Sequence, residues 1–317
     1  MGQPLLEKRL GFLKNRLSSE KITLKTPTGT IDVLDFHRFI ALIRRSLLSE
    51  KSDPRILECI TAISNGNIRE QLEMIYSLLI SGQTKIDEYF WTYARDEQRN
   101  IPFHEFLHSL LHEDRKFFDE GLGHRFINIF EPAPRSNSSH FTALRILKYL
   151  ELVLGQTGEL RQTDFVTDDD IFSEFGDYGW SKDEISFHMH RLANFGVLMP
   201  ESGDIKDSVS QQPCALTKSG IYYASTLYQE FSYFSAMACD TSIGVPDLAN
   251  DIGQTLHDNI QSAKIPLNIR RKISEKFVGY LDSKEQSEIK GAISKHPVIG
   301  KIRFVPRMIQ SLRKISI

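Results

Sequence analysis

Residues 140–234 read HFTALRILKYLELVLGQTGELRQTDFVTDDDIFSEFGDYGWSKDEISFHMHRLANFGVLMPESGDIKDSVSQQPCALTKSGIYYASTLYQEFSYF. Apolar residues at Leu144, Leu147 and Leu150, with Leu154 in step, predict a helix over 141–153. Thr167-Asp168-Asp169-Asp170 is a helix start, and the helix runs to Phe175 before the turn Gly176-Asp177-Tyr178-Gly179. Ser181 followed three residues later by Glu184 matches a capping box, in which the two side chains satisfy the first free amides of a helix. That third helix carries Ile185, Met189, Leu192 and Phe195 and stops at Gly196. A short strand at Val197-Leu198-Met199, a polar wing over 200–212, a returning strand at Cys214–Leu216 and a helix capped at Thr217 complete the segment. Three helices, a strand, a wing, a second strand and a helix are the order of a winged helix.

Working outward, the N-terminal third predicts a small helical bundle. A helix is expected at Leu5–Leu17, then a turn at Thr26-Pro27-Thr28-Gly29. Val33, Phe36, Phe39, Ile40, Ile43 and Leu47 follow a helical period. Asp53-Pro54 opens a helix over 55–63 that ends at Ser64-Asn65-Gly66. Another begins near Asn67, with Ile68, Leu72, Ile75 and Leu79 on one face, and stops at Ser81-Gly82. Residues 101–118 predict one or two further helices, and the loop-forming run 131–139 marks a boundary. Beyond Asp247 the chain reads as amphipathic helix with Phe277, Tyr280 and Leu281 on one face, and Phe304-Val305-Pro306 breaks it before a last basic helix. The fold class is therefore mainly α: a helical bundle (1–98), connecting helices and a loop (99–139), a winged-helix domain with a small β-hairpin (140–235) and a basic helical region (236–317).

Composition is that of ordinary globular protein, with 40% hydrophobic and 25% charged residues. Cys59, Cys214 and Cys239 are far apart and lack CxxC spacing, so they read as thiols of a reducing compartment and not as a disulfide or zinc framework. No signal peptide or membrane-spanning run is legible, which predicts a cytoplasmic protein without membrane partners. The net charge of −2 hides an asymmetry. Residues 264–317 hold 13 Lys or Arg against 4 Asp or Glu, whereas residues 1–263 hold 26 against 37. The basic tail could bind nucleic acid or dock on the chain's own acidic body.

Catalytic motifs are incomplete. His104-Glu105-Phe106-Leu107-His108 matches HExxH, whose histidines share a helix face and can bind zinc with the glutamate as base; Glu131 is the place to seek a third ligand. Three fixed positions in five arise by chance, His104 sits at a helix start, and Glu131 lies in a proline-rich loop, so the pattern is read as a decoy and no metal is expected. Gly300-Lys301 lacks the upstream glycine of a phosphate loop, and neither GxGxxG nor GxSxG occurs. Asp168-Asp169-Asp170 is explained by the helix dipole. The chain is expected not to be an enzyme.

For DNA recognition the third helix of the winged segment offers Lys182, His188, His190, Arg191 and Asn194, but also Asp183 and Glu184. Residues 140–234 hold 7 Lys or Arg against 14 Asp or Glu. Phosphate contacts supply nearly all non-specific affinity, so an acidic module favours packing on protein over binding a duplex.

The run Ser64-Asn65-Gly66-Asn67-Ile68-Arg69 and the helix after it resemble the lid region of STAND and AAA-type P-loop ATPases. Ile101–Leu111, Ile127-Asn128-Ile129-Phe130, the winged segment, Phe231-Ser232-Tyr233-Phe234 and Asp240-Thr241-Ser242-Ile243 are similar to the downstream parts of bacterial ATPases of this kind, and Leu6–Leu17 to the helix leaving their core. The resemblance implies the regulatory C-terminal half of such an ATPase, a truncated form or a partner subunit. It implies that Asn67 opens the lid turn and that Arg69 senses a γ-phosphate. The competing reading of the same residues is a plain helix-to-helix turn with a solvated arginine. The expected function is a non-catalytic interaction module coupling nucleotide state to partner binding. Its expected partner is a protein or a P-loop core that would itself bring ATP, with nucleic acid at the 264–317 tail as an alternative.

Overall fold

The computed structural model describes residues 8, 22–26, 29–33, 36–49, 52–81, 100–122, 125–134, 138–154, 165–202, 212–259 and 265–315. Apart from Lys8, the expected helix at Leu5–Leu17 lies outside them, as do most of the polar wing, Gly82 and Lys264. The described chain is mainly helical and divides into two compact units, 1–116 and 117–317.

The first unit begins with a hairpin. Strands β1 (Ile22–Thr26) and β2 (Gly29–Val33) pair antiparallel with Ile22 opposite Val33 and Thr26 opposite Gly29. Val33 therefore belongs to a strand and not to the helix its spacing predicts. Ile, Thr and Val recur on both sides of Pro27-Thr28, and β-branched residues favour the pleated strand. Helix α1 (Phe36–Leu48) buries Leu42, Ile43 and Leu47. Helix α2 (Pro54–Ile63) starts as predicted: Asp53 accepts the Arg55 amide at 3.1 Å and Pro54 occupies the first turn, where its missing N–H costs nothing. Asn65 (φ 49°) and Gly66 (φ 81°) turn the chain through the left-handed region that Asn and Gly tolerate best. Helix α3 (Ile68–Ile80) follows, capped by Asn67, whose side chain accepts the Arg69 amide at 3.0 Å. Its buried face holds Gln71, Met74, Ile75 and Leu78, so the predicted stripe is rotated: Ile68 is exposed and Leu72 half-buried. Helix α4 (Phe103–His112) buries Phe106, Leu107, Leu110 and Leu111 against α2 and α3.

The second unit carries α5 (Thr142–Leu154), α6 (Asp168–Phe175), α7 (Lys182–Asn194), β3 (Leu198–Pro200), β4 (Cys214–Leu216) and α8 (Lys218–Ser225) in that order. Thr167 and Asp170 form a reciprocal capping box at α6, and Ser181 and Thr217 cap α7 and α8. α7 ends at Gly196 (φ 65°): the Gly196 amide donates to Ala193 O at 2.9 Å and the Val197 amide to Leu192 O at 2.8 Å, a complete Schellman closure. β3 and β4 pair antiparallel with Leu198 opposite Leu216, and Val166 bridges to Cys214 on the other side of β4. Leu144, Leu147, Leu150, Ile185, Met189 and Leu192 are fully buried where α5, α6, α7 and α8 meet. Gly220 permits the close approach of α8, since a Cβ there would stand 2.6 Å from Val197 O.

Helices α9 (Phe231–Met237), α10 (Pro246–Asp258), α11 (Leu267–Lys290) and α12 (Val305–Arg313) complete this unit. α11 packs on α9, α10 and α12, burying Phe277, Tyr280 and Leu281 as their spacing predicts. Pro306 sits in the first turn of α12, where proline is tolerated, and so helps begin the last helix. Among the described residues no helix is long and apolar enough to cross a membrane.

Candidate functional site

The most elaborate polar arrangement in the second unit is built on α7. Arg191 is 9% exposed, and its guanidinium engages Glu120 through both carboxylate oxygens (Nη2 to Oε1 2.8 Å and to Oε2 2.7 Å; Nε to Oε1 3.0 Å). Nη2 also donates to Asn128 O at 3.0 Å. Burial raises the Glu120 carboxyl above the ordinary carboxylate range, and Arg191 opposes that rise. Glu120 further accepts the Asn128 amide, so one arginine–carboxylate pair holds residues 120–128 against α7.

The same segment is held from its other side. Asn128 Nδ2 donates to Asp240 Oδ2 and to Thr241 Oγ1, both at 3.0 Å. The Tyr233 hydroxyl donates to Ile127 O at 2.6 Å and accepts the Ile129 amide at 3.1 Å, while the Tyr223 hydroxyl accepts the Ile127 amide at 3.1 Å. Glu131 accepts the Ser242 amide at 2.7 Å and its hydroxyl at 2.5 Å. Phe126, Ile127, Ile129 and Phe130 are buried around these bonds. Buried backbone amides must find partners, and here tyrosine hydroxyls from α8 and α9 supply them. Segment 127–130 thus forms one clasp with 231–234 and 240–243, which lie far from it in sequence.

His140 extends the network. Its Nδ1 stands 2.8 Å from Phe130 O and its Nε2 2.8 Å from the Tyr280 hydroxyl. A carbonyl only accepts, so Nδ1 carries the proton and Nε2 accepts from Tyr280, whose oxygen in turn accepts the Gly244 amide at 3.1 Å. Burial lowers the His140 pKa, in keeping with a neutral ring.

The five candidate DNA-reading residues do not form one exposed row. His188 is 1% exposed with neither ring nitrogen hydrogen-bonded, and burial holds its pKa down to about 3. Arg191 is committed to the clasp. Lys182 pairs with Asp169 at 2.5 Å, and His190 is half-buried. Asn194 is exposed at the end of the helix. The alternation of His and Arg along α7 gives no signal that its inner face also holds His188 and Arg191, beside Ile185, Met189 and Leu192. Glu120 and Tyr223 carried no sequence signal either, because their partners lie 71 and 96 positions away.

In the first unit Asn67 acts as the cap of α3. Arg69 is exposed, its side chain 88% accessible, and Nε meets Glu73 at 3.2 Å. Ile68, Arg69, Leu72, Glu73 and Tyr76 line an open groove of about 410 Å³. Tyr76 is 61% exposed. His104 lies exposed in the first turn of α4, Glu105 and His108 are half-buried, and the rings of His108 and His112 stack with centroids 5.1 Å apart. Glu131, the place to seek a third metal ligand, accepts from Ser242 instead. Among the described residues no group of three His, Cys, Asp or Glu side chains is placed to hold a metal ion. Burial pushes the Cys214 thiol up to about 11 and the Cys239 thiol up to about 12, away from nucleophilic thiolates.

Comparison with family models, with curated proteins and with solved structures returned no match for this chain.

Proposed function

We propose that the chain is a non-catalytic regulatory module of winged-helix type that works by contacts with protein, and that any nucleotide chemistry is supplied by a P-loop ATPase core elsewhere. The observation that carries this reading is the inward commitment of Arg191. A base-reading arginine must present its donors to a groove edge, whereas here they are spent on Glu120 and Asn128. The order α5, α6, α7, β3, β4, α8 with its antiparallel β3–β4 pair supports the winged-helix reading. The exposed face of α3, with Arg69 between Ile68 and Tyr76, supports a protein-facing surface on the first unit: a cation framed by apolar and aromatic side chains suits an interface.

Two measurements on the full chain test the proposal. Purified protein with magnesium and ATP is expected to release no phosphate, and Lys182→Ala with Asn194→Ala is expected to leave duplex-DNA affinity unchanged. Unaided turnover, or a tenfold loss of duplex affinity in that variant, would overturn it. Affinity capture of the tagged chain from its own cells is expected to recover a P-loop ATPase that is lost on Arg69→Glu and retained on Arg55→Glu.

A further inference from the structure

The charge surplus of the C-terminal region is not spent inside the molecule. Its four acids are all engaged: Glu275 by Arg271 (2.9 Å), Asp282 and Glu285 by Arg303 (3.7 and 2.9 Å), and Glu288 by the buried Arg145 (3.0 Å). Lys276 pairs with Asp251 of α10. Arg270 lies over the Phe231 ring and Lys284 over the Tyr280 ring. Arg307 lies beside the Tyr228 hydroxyl and opposes the rise in pKa that burial gives it. Among the described residues Lys272, Lys290, Lys295, Lys301, Arg313 and Lys314 remain, all exposed, and none of these six makes an ion pair or a side-chain hydrogen bond.

The path of the chain divides these six cations between the two ends of α11. α12 runs back along α11. At one end Glu285 accepts the amides of Phe304 (2.6 Å) and Val305 (3.4 Å); at the other Arg271 Nη1 donates to Ile315 O at 3.1 Å. Arg313 and Lys314 are thereby brought back to the end of α11 that carries Lys272. Lys290 ends α11, and Lys295 and Lys301 follow it in the connection to α12. Lys272 and Lys290 are five helical turns apart, which places them on one face of α11 about 27 Å from each other. The exposed positions between them include the uncharged Gly279, Ser283 and Ser287, and the one carboxylate there, Glu275, is held by Arg271.

We infer that the α11–α12 hairpin binds a nucleic-acid duplex along its phosphate backbone and independently of base sequence. Cations at the two ends of a rigid helix, with Lys272 and Lys290 about 27 Å apart, suit a stiff polyanion whose charge repeats along its length, and a duplex carries one phosphate charge per roughly 1.7 Å of axis. A flexible acidic peptide would have to be ordered over that span to meet both ends. The face offers charge and small hydroxyls without a row of base-reading side chains, so it positions a backbone and does not specify sequence. This surface is separate from α7, and the proposal stands or falls independently of the function proposed above.

The test is fluorescence anisotropy of the full chain with a labelled duplex of about 30 base pairs, across salt concentrations from about 50 to 200 mM. We expect log affinity to fall against log salt with a slope between about −3 and −5, since each engaged phosphate contributes about −0.9. Two unrelated sequences should bind within threefold of each other. Lys272→Glu/Arg313→Glu/Lys314→Glu and Lys290→Glu/Lys295→Glu/Lys301→Glu should each weaken binding at least tenfold, with unchanged far-ultraviolet circular dichroism. Absence of duplex binding at the lowest salt, or binding indifferent to both triple variants, overturns the inference. So does polyglutamate that displaces the duplex at equal charge, since the surface would then hold a flexible acidic chain as well as a stiff one. Should the reversed variants fail to fold, the wild-type slope decides, and a value shallower than about −3 overturns it.

Discussion

Arg191 and Glu120 meet through a two-pronged contact as short as 2.7 Å, with the two side chains only 11% and 19% exposed. An ion pair so sheltered gains little net stability over apolar packing, because both charges were taken out of water, but removing one partner strands the other. Arg191→Ala is therefore expected to destabilise the second unit by about 3–5 kcal/mol, and Arg191→Met with Glu120→Leu to recover most of that loss. Urea melts followed by circular dichroism of both variants check this. A double variant as unstable as the single one would show that the clasp depends on its hydrogen bonds to Asn128 and not on the charge pair.

Deep burial also makes His188 a source of acid sensitivity. Its folded pKa of about 3 lies below the unfolded value, so on acidification the unfolded chain takes the proton first. The sign follows: the contribution is complete above about pH 6.5 and is lost as pH falls towards 3. Between pH 7 and pH 5 the cost is about 2 kcal/mol from this residue alone. His140 and His296, also lowered by burial, add in the same direction. The urea midpoint should drop over that interval, and His188→Leu should flatten the drop. An unchanged slope in that variant would locate the acid sensitivity elsewhere.

Much of this architecture was legible because its signals are local. Asp53-Pro54, Thr167, Ser181 and Thr217 each announced a helix start that their own side chains complete within three residues, and Gly196 announced the stop that its positive φ allows. The turn of the β1–β2 hairpin is legible at Thr26-Pro27-Thr28-Gly29, but its strands are not, because Val33 fits the helical period that follows while the β-branched residues on both sides of the turn favour pairing across it. The α3 stripe was read one step round the helix: Gln71 is buried through a hydrogen bond from its amide to Ser64 Oγ at 3.3 Å, a role no hydrophobicity pattern reveals. The clasp itself was illegible. Asn128 and Thr241 stand 113 positions apart, and nothing local tells an asparagine that its partner lies there.

Gly220 tests the packing of α8. A methyl group there would stand 2.6 Å from Val197 O and 2.5 Å from Leu216 Cδ1, and a backbone carbonyl closing a strand end has little room to retreat. Gly220→Ala is expected to cost about 1–3 kcal/mol despite the better helix propensity of alanine, since overpacking strain outweighs the propensity gain. Gly253→Ala, at a helical position where a Cβ meets nothing within 4 Å, should stabilise α10 by somewhat under about 1 kcal/mol. Thermal melts of the two variants should therefore shift in opposite directions, and a common direction would refute the packing argument.

Asn67 and Arg69 separate a structural role from a functional one. The Asn67 side chain accepts the Arg69 amide at 3.0 Å, satisfying one of the free donors at the start of α3. Asn67→Ala should thus lower the stability of the first unit by about 1 kcal/mol, whatever the chain binds. Arg69 has an exposed side chain, and its pair with Glu73 spans one helical turn, an arrangement that contributes no more than about 0.5 kcal/mol. Arg69→Ala should therefore leave the urea midpoint of the first unit nearly unchanged while abolishing capture of a P-loop partner. If Arg69→Ala unfolds the first unit as Asn67→Ala weakens it, the arginine is part of the scaffold and the sensing role carried over from the lid resemblance fails. If it changes neither stability nor capture, the groove lined by Ile68, Leu72 and Tyr76 must hold the partner through apolar contact, and Tyr76→Ala then becomes the variant that loses it.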